Sequence, residues 1–168
     1  MKTTTLFLVL FFGITFSARA QFVSADVGVN GLTCSMCSRG VAATLKTLPF
    51  IDSVSTDLNA LVTHITFKSG LKVSIDDLRK MIENAGFSVR FVHAVFRFDN
   101  VKIGKDYHFV YNGDTYDFVG VHGQTLSGPV ELQFVDKPYV TKQEYAVLSK
   151  SVDFGEHSKT GRLYHVTL

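Results

Sequence analysis

Gly31-Leu32-Thr33-Cys34-Ser35-Met36-Cys37 stands between a segment of period two and a segment of helical period. Before it, Val23, Ala25, Val27 and Val29 alternate as the inward residues of a half-buried strand should. Asn30-Gly31 ends that strand. After it, Cys37, Val41, Leu45 and Leu48 recur along one helical face, and Pro49 closes the helix because the residue before a proline avoids helical dihedrals. The stretch is therefore a strand-to-helix turn carrying two thiols. A cysteine there lies near unpaired backbone N–H groups and the positive end of the helix dipole, which favour thiolate over thiol. The three-residue spacing places both sulfurs at one end of the first turn. Cys37 continues the buried stripe and should be the shielded sulfur. Cys34 should be the exposed one, first to meet an incoming ion. Two soft thiolates with no fixed third ligand suit Cu(I), whereas Zn(II) normally takes four ligands.

Outward from this turn the alternation continues. Val54, Thr56 and Leu58 form one strand pattern, and Thr63, Ile65 and Phe67 form a second after a turn near Asn59. Ser74 is placed to cap a second helix, with Asp76 and Asp77 in its first turn. Ile75, Leu78, Ile82 and Ala85 make its buried face, Gly86 is a natural left-handed terminator, and Val89 and Phe91 mark a fourth strand. The order β-α-β-β-α-β over residues 21–92 is the ferredoxin-like arrangement. Past His93 the pattern changes to short strands: Val95–Phe98, Tyr107–Tyr111, Thr115–Val119, Val130–Val135 and Leu163–Leu168. Asn112-Gly113-Asp114 is a hairpin signal between two of them. Gly120–Gly123, Ser127-Gly128-Pro129 and Asp136–Tyr139 read as turns, and Thr141–Lys150 fits either a helix or a strand. The expectation is an α+β chain: a ferredoxin-like βαββαβ domain at 21–92, then a small mostly-β domain at 93–168, a barrel or curled meander.

Residues 1–20 have the form of a secretory signal peptide, with Lys2, an apolar run from Leu6 to Phe16, and Ala18-Arg19-Ala20 before the cut. The run is too short to span a bilayer, and no later stretch is long and apolar enough. Export to the outside, most simply a bacterial periplasm, is the expectation. The chain has 17 basic and 15 acidic residues; without Lys2 and Arg19, 15 of each remain. A formally neutral chain lacks the basic footprint of a nucleic-acid binder, and it would not dock electrostatically on anionic lipid. With only two cysteines, close in sequence, the pair is suited to chemistry more than to stapling a fold. The six histidines, at 64, 93, 108, 122, 157 and 165, show no i, i+4 pair, and the spacing marks none of them as a ligand.

Residues 23–92 resemble a heavy-metal-associated domain, the fold of copper chaperones and of the N-terminal modules of metal-pumping ATPases. The family pattern G-M-T-C-x-x-C reads here as Gly31-Leu32-Thr33-Cys34-Ser35-Met36-Cys37, and its A-G-Y/F tail as Ala85-Gly86-Phe87. Leu32 replaces the usual methionine, nearly at constant volume. The resemblance implies Cys34 and Cys37 as metal ligands, with Cu(I) first and Zn, Hg or Cd as other soft ions. It implies that Phe87 packs over the metal loop. Met36 and Thr33 flank the pair, Met36 as a contact residue more than a third ligand. The implied role is non-enzymatic, with no catalytic residues: the ion is bound and handed by ligand exchange to a metal-transporting ATPase or another metal-binding protein. The alternatives are a thiol–disulfide oxidoreductase, an oxidised pair without metal function, and an interaction module that has kept the fold.

Overall fold

The structure is a computed structural model that describes residues 21–104, 107–121, 123–151, 154 and 161–168. The expected leader, His122 and His157 lie outside the described residues. The first half follows the expected order: β1 (Gln21–Asn30), α1 (Ser35–Leu45), β2 (Ile51–Asp57), β3 (Val62–Phe67), α2 (Ile75–Asn84) and β4 (Ser88–Ile103). These are followed by β5 (His108–Tyr111), β6 (Asp114–Phe118), β7 (Gln124–Phe134), a 3₁₀ turn at Lys137–Tyr139, α3 (Lys142–Ser151) and β8 (Leu163–Thr167). No described helix is long and apolar enough to cross a membrane.

The local reasons are those the sequence carries. Ser74 accepts a hydrogen bond from Asp77 N at 3.2 Å and caps α2, whose Ile75, Leu78 and Ile82 are buried. Gly86 leaves α2 at φ +88°. Asp57 holds the β2–β3 turn by accepting from Asn59 N and Ala60 N. Ala25, Val27 and Val29 alternate along β1 and join Ile65, Val92, Val41, Leu45, Leu78 and Ile82 in one core, but Val23, expected inward, is not in it: a register shift between Phe22 and Ser24 puts Phe22 there instead. Helices α1 and α2 cover that face of the sheet. Asp26 and Gly28 alternate onto the other face.

The second half departs from expectation. The change of pattern near residue 93 does not end a strand. β4 runs on for 16 residues, and the eight strands form one sheet in the order β2-β3-β1-β4-β7-β8-β6-β5. The pattern changes because β4 gains a second neighbour: it pairs with β1 over Ser88–Arg97 and with β7 from His93 to Ile103. The order is not a meander, since β8 lies between β7 and β6 and pairs with β6 in parallel. Among the described residues no ladder closes β2 onto β5, so the pairing is that of an open sheet rather than a barrel. Ser127-Gly128-Pro129 is not a turn but lies inside β7. Gly128, at φ +72°, and Pro129 sit opposite Phe98 and Arg97, next to the register shift at Asp99-Asn100. Proline is tolerated there because the ladder is already interrupted. Asn112-Gly113 makes the expected hairpin, both residues with positive φ. Aromatic packing runs across the two halves: Phe22 of β1 meets Phe96, Tyr111, Tyr116 and Phe134. Tyr139 donates to Asp76 of α2, and Arg162 pairs with the same carboxylate at 3.1 Å.

Candidate metal centre

The site begins where β1 ends. Gly31 turns the chain at φ +80°, a conformation other residues adopt only at a cost, and Thr33 N returns to Gly31 O at 2.9 Å. Leu32 points inward and is fully buried, so it pins the loop to the core. Cys34 is extended (φ −131°, ψ 151°) and is the N-cap of α1; its Sγ accepts from Cys37 N at 3.1 Å. The N-cap position commonly held by serine or aspartate is thus held by a sulfur, which takes up one orphan helix donor. Ser38 N closes the first turn on Cys34 O at 3.0 Å. The first turn of α1 contains no acidic residue, so nothing there opposes the negative charge of a thiolate.

Cys34 is exposed, whereas Cys37 is half-buried and packed against the core. The two are joined as a disulfide, with Cα atoms 5.2 Å apart. The sulfurs therefore converge on one point above the helix N-terminus. In this form they hold no charge and offer no thiolate, so metal chemistry at this pair requires the reduced form. Met36 is the most exposed large apolar side chain among the described residues, at 74 %, and stands between the cysteines. Thr33 is exposed beside Cys34. Phe87 is half-buried, and its ring edge lies 3.9 Å from where a Cβ on Gly31 would be, beside the loop. Asn30 Nδ2 donates to Ser88 Oγ at 3.3 Å and ties the loop's root to the start of β4. The sequence signalled Asn30 only as a strand breaker, because its partner lies 58 positions away.

The described histidines lie elsewhere. His64 pairs with Asp26 at 2.7 Å, His93 stands 3.6 Å from Glu131, and His108 is exposed on edge strand β5. His165 is buried, with Nδ1 2.7 Å from Asp136. Among the described residues no group of three or more His, Cys, Asp or Glu side chains is arranged to hold a metal. The donor set at the loop is thus two sulfurs, a set that fits a soft ion of low coordination number.

Residues 26–88 match the model of the heavy-metal-associated domain family. Among solved structures, the chain is similar to a copper-binding domain of the P-type ATPase HMA7, at 32 % identity over 40 % of this chain and 90 % of that one, with a TM-score of 0.37. It is also similar to oxidized MerP from Ralstonia metallidurans CH34, at 27 % identity over 42 % of this chain and 97 % of that one, TM-score 0.35. A third is the yeast copper transporter domain Ccc2a, solved in apo and Cu(I)-loaded states, at 24 % identity over 40 % of this chain and 90 % of that one, TM-score 0.36. No curated protein matches the chain. Residues 26–88, which contain the Cys34–Cys37 loop, belong to the heavy-metal-associated domain family.

Proposed function

We propose that the reduced protein binds one soft metal ion, Cu(I) before others, through Cys34 and Cys37, and passes it on by ligand exchange. The observation that carries this reading is the convergence of two sulfurs at the N-terminus of α1 within a heavy-metal-associated domain. Loading starts with two-electron reduction of the disulfide by an external dithiol, which closes to its own disulfide and leaves Cys34 and Cys37 as thiols. The ion then displaces the thiol protons and is held by both sulfurs. In transfer, a partner's thiolate or thioether adds as a third ligand and one of the two sulfurs leaves. Exposed Cys34 is the sulfur an incoming ligand reaches first; half-buried Cys37 holds the ion during the exchange. The partner is a metal-transporting ATPase or another metal-binding protein. Other soft ions, Zn, Hg and Cd, compete for the same pair.

Anaerobic titration of the reduced protein with Cu(I), Zn(II) and Hg(II) in competition tests this. One Cu(I) should bind, and the Cys34→Ser, Cys37→Ser double variant should bind none. Stoichiometric copper in the double variant would move the site elsewhere. A second reading, a thiol–disulfide oxidoreductase, is favoured by the disulfide itself. An oxidising potential for the pair with no copper retained after reduction would select it. Export belongs to the same proposal: mass spectrometry of the secreted protein should place its first residue at Gln21, and an intact Met1 would remove the periplasmic setting.

A further inference from the structure

A groove of about 460 Å³ lies on the face of the sheet that α1 and α2 leave uncovered. Its floor is Phe91 and His93 of β4 with Gln133 of β7; its far wall is Val140 and the α3 residues Val147 and Leu148. Two backbone features build the floor. First, the β1–β4 register slips between Gly28/Phe91 and Val29/Val89, leaving Arg90 without an opposite residue. That bulge turns Phe91 onto the open face, away from Val89. Second, Gly28 makes room for it: a Cβ there would lie 2.5 Å from the Phe91 ring. Glycine inside a strand weakens it, and here it lets an aromatic ring approach the backbone closely.

The polar groups converge at one side. His93 and Gln133 are directly opposite in the ladder, and Thr167 is opposite Gln133, so the three form one row on the open face. Glu144 is the one carboxylate of the lining, and its charge is already answered. It accepts from Thr141 N and Oγ1, both at 2.8 Å, with Arg90 and His93 close enough to favour its ionised form. The groove therefore offers apolar walls and a row of hydrogen-bonding groups without an unopposed charge. The surroundings argue against a broad protein interface. Among the described residues the exposed large apolar side chains are Met36, Leu58, Leu71, Val110 and Val147, and of these Val147 alone borders the groove.

We infer that this groove binds a small, uncharged, mainly apolar organic molecule with one hydrogen-bonding group, held between α3 and the open face of β4 and β7. Its volume lies in the range of small-molecule sites. The site stands apart from the cysteine loop and uses none of its residues.

The test is amide-resolved NMR of the isotope-labelled protein titrated with 4-propylphenol. Saturable shifts should converge on Phe91, His93, Gln133, Val140 and Leu148, with half-saturation on the order of 1 mM for so small a probe. Val147→Trp fills the mouth from an exposed position and should weaken binding about tenfold or more without changing the melting temperature. Gln133→Leu should weaken the phenol more than propylbenzene. The Cys34→Ser, Cys37→Ser variant should bind as the parent does. The inference is overturned by no saturable shift at the probe's solubility limit, or by shifts scattered over the whole open face, the signature of loose surface association. Equal binding by Val147→Trp, or by 3-phenylpropylammonium and 3-phenylpropionate, overturns it too.

Discussion

Leu32 shows how a single side chain supports the metal loop without touching the sulfurs. It is fully buried directly before Thr33-Cys34, so it holds the loop by packing rather than by chemistry. Leu32→Ala should cost about 2–5 kcal/mol, the range for emptying a buried leucine site, whereas Leu32→Met should cost less than about 1.5 kcal/mol. Urea unfolding of the two variants checks the ranking. Loss of metal affinity in Leu32→Ala, with both cysteines intact, would show that the loop's position matters as well as its ligands. Cys34 is the complementary case, a ligand that is also the helix cap through its bond from Cys37 N. Serine at position 34 keeps an N-cap and removes the ligand, so Cys34→Ser should lose copper and keep the fold.

Element α1 is complete without an ion: its cap, first turn and buried face are all formed by the protein. The reduced, metal-free protein should therefore show native-like circular dichroism, unlike a small zinc finger that unfolds without its ion. An ion at about a thousandfold excess over its dissociation constant adds roughly 4 kcal/mol by mass action, so the copper form should melt higher. A random-coil spectrum for the reduced apo protein would refute the pre-organised loop. Element α3 carries a pH-dependent cap. The Thr141 backbone N–H, then its hydroxyl, hold the Glu144 carboxyl below its ordinary value of 4.5. A depressed folded pKa stabilises above the ordinary value and loses that contribution as pH falls through the folded one. The protection factors of the α3 amides, with the pH dependence of intrinsic exchange divided out, should thus be flat from neutral pH to about 5 and fall on further acidification. Glu144→Gln should flatten that acid limb. The effect is small because the carboxylate is largely exposed.

At the scale of the molecule, β4 ties the halves together, and the Asp76–Tyr139–Arg162 group ties α2 to the later elements. One sheet and one contiguous core should unfold together. Far-ultraviolet dichroism and tyrosine fluorescence should give coincident thermal transitions; two separated transitions would show independent halves. Tyr139→Phe leaves Asp76 short of a donor near the core and should lower stability by about 1–3 kcal/mol with the transition still single. A fragment ending at residue 98 should be more stable than one ending at 92, because Val95–Arg97 pair with the start of β1 and Phe96 packs on Phe22.

What could be read from the residues alone was whatever local spacing encodes. Period two in β1 and β3, the Ser74 cap, Gly86 and the Cys34-x-x-Cys37 turn each act within a few positions, so the βαββαβ order and the two sulfurs were legible. Other features were not. Thr141–Lys150 kept helix and strand open because its apolar residues do not make a clean stripe, and Val147 is in fact exposed at the mouth of a groove. Gly128-Pro129 has the composition of a turn, and only the interrupted β4–β7 ladder makes it a strand. The bulge at Arg90 sends Phe91 to the open face, although simple alternation would put it beside Val89. The continuation of β4 past residue 93 and the insertion of β8 between β7 and β6 depend on groups far apart in sequence and on which partner each strand finds. Such pairings are selected by packing and register across the whole sheet, and no local period carries that information.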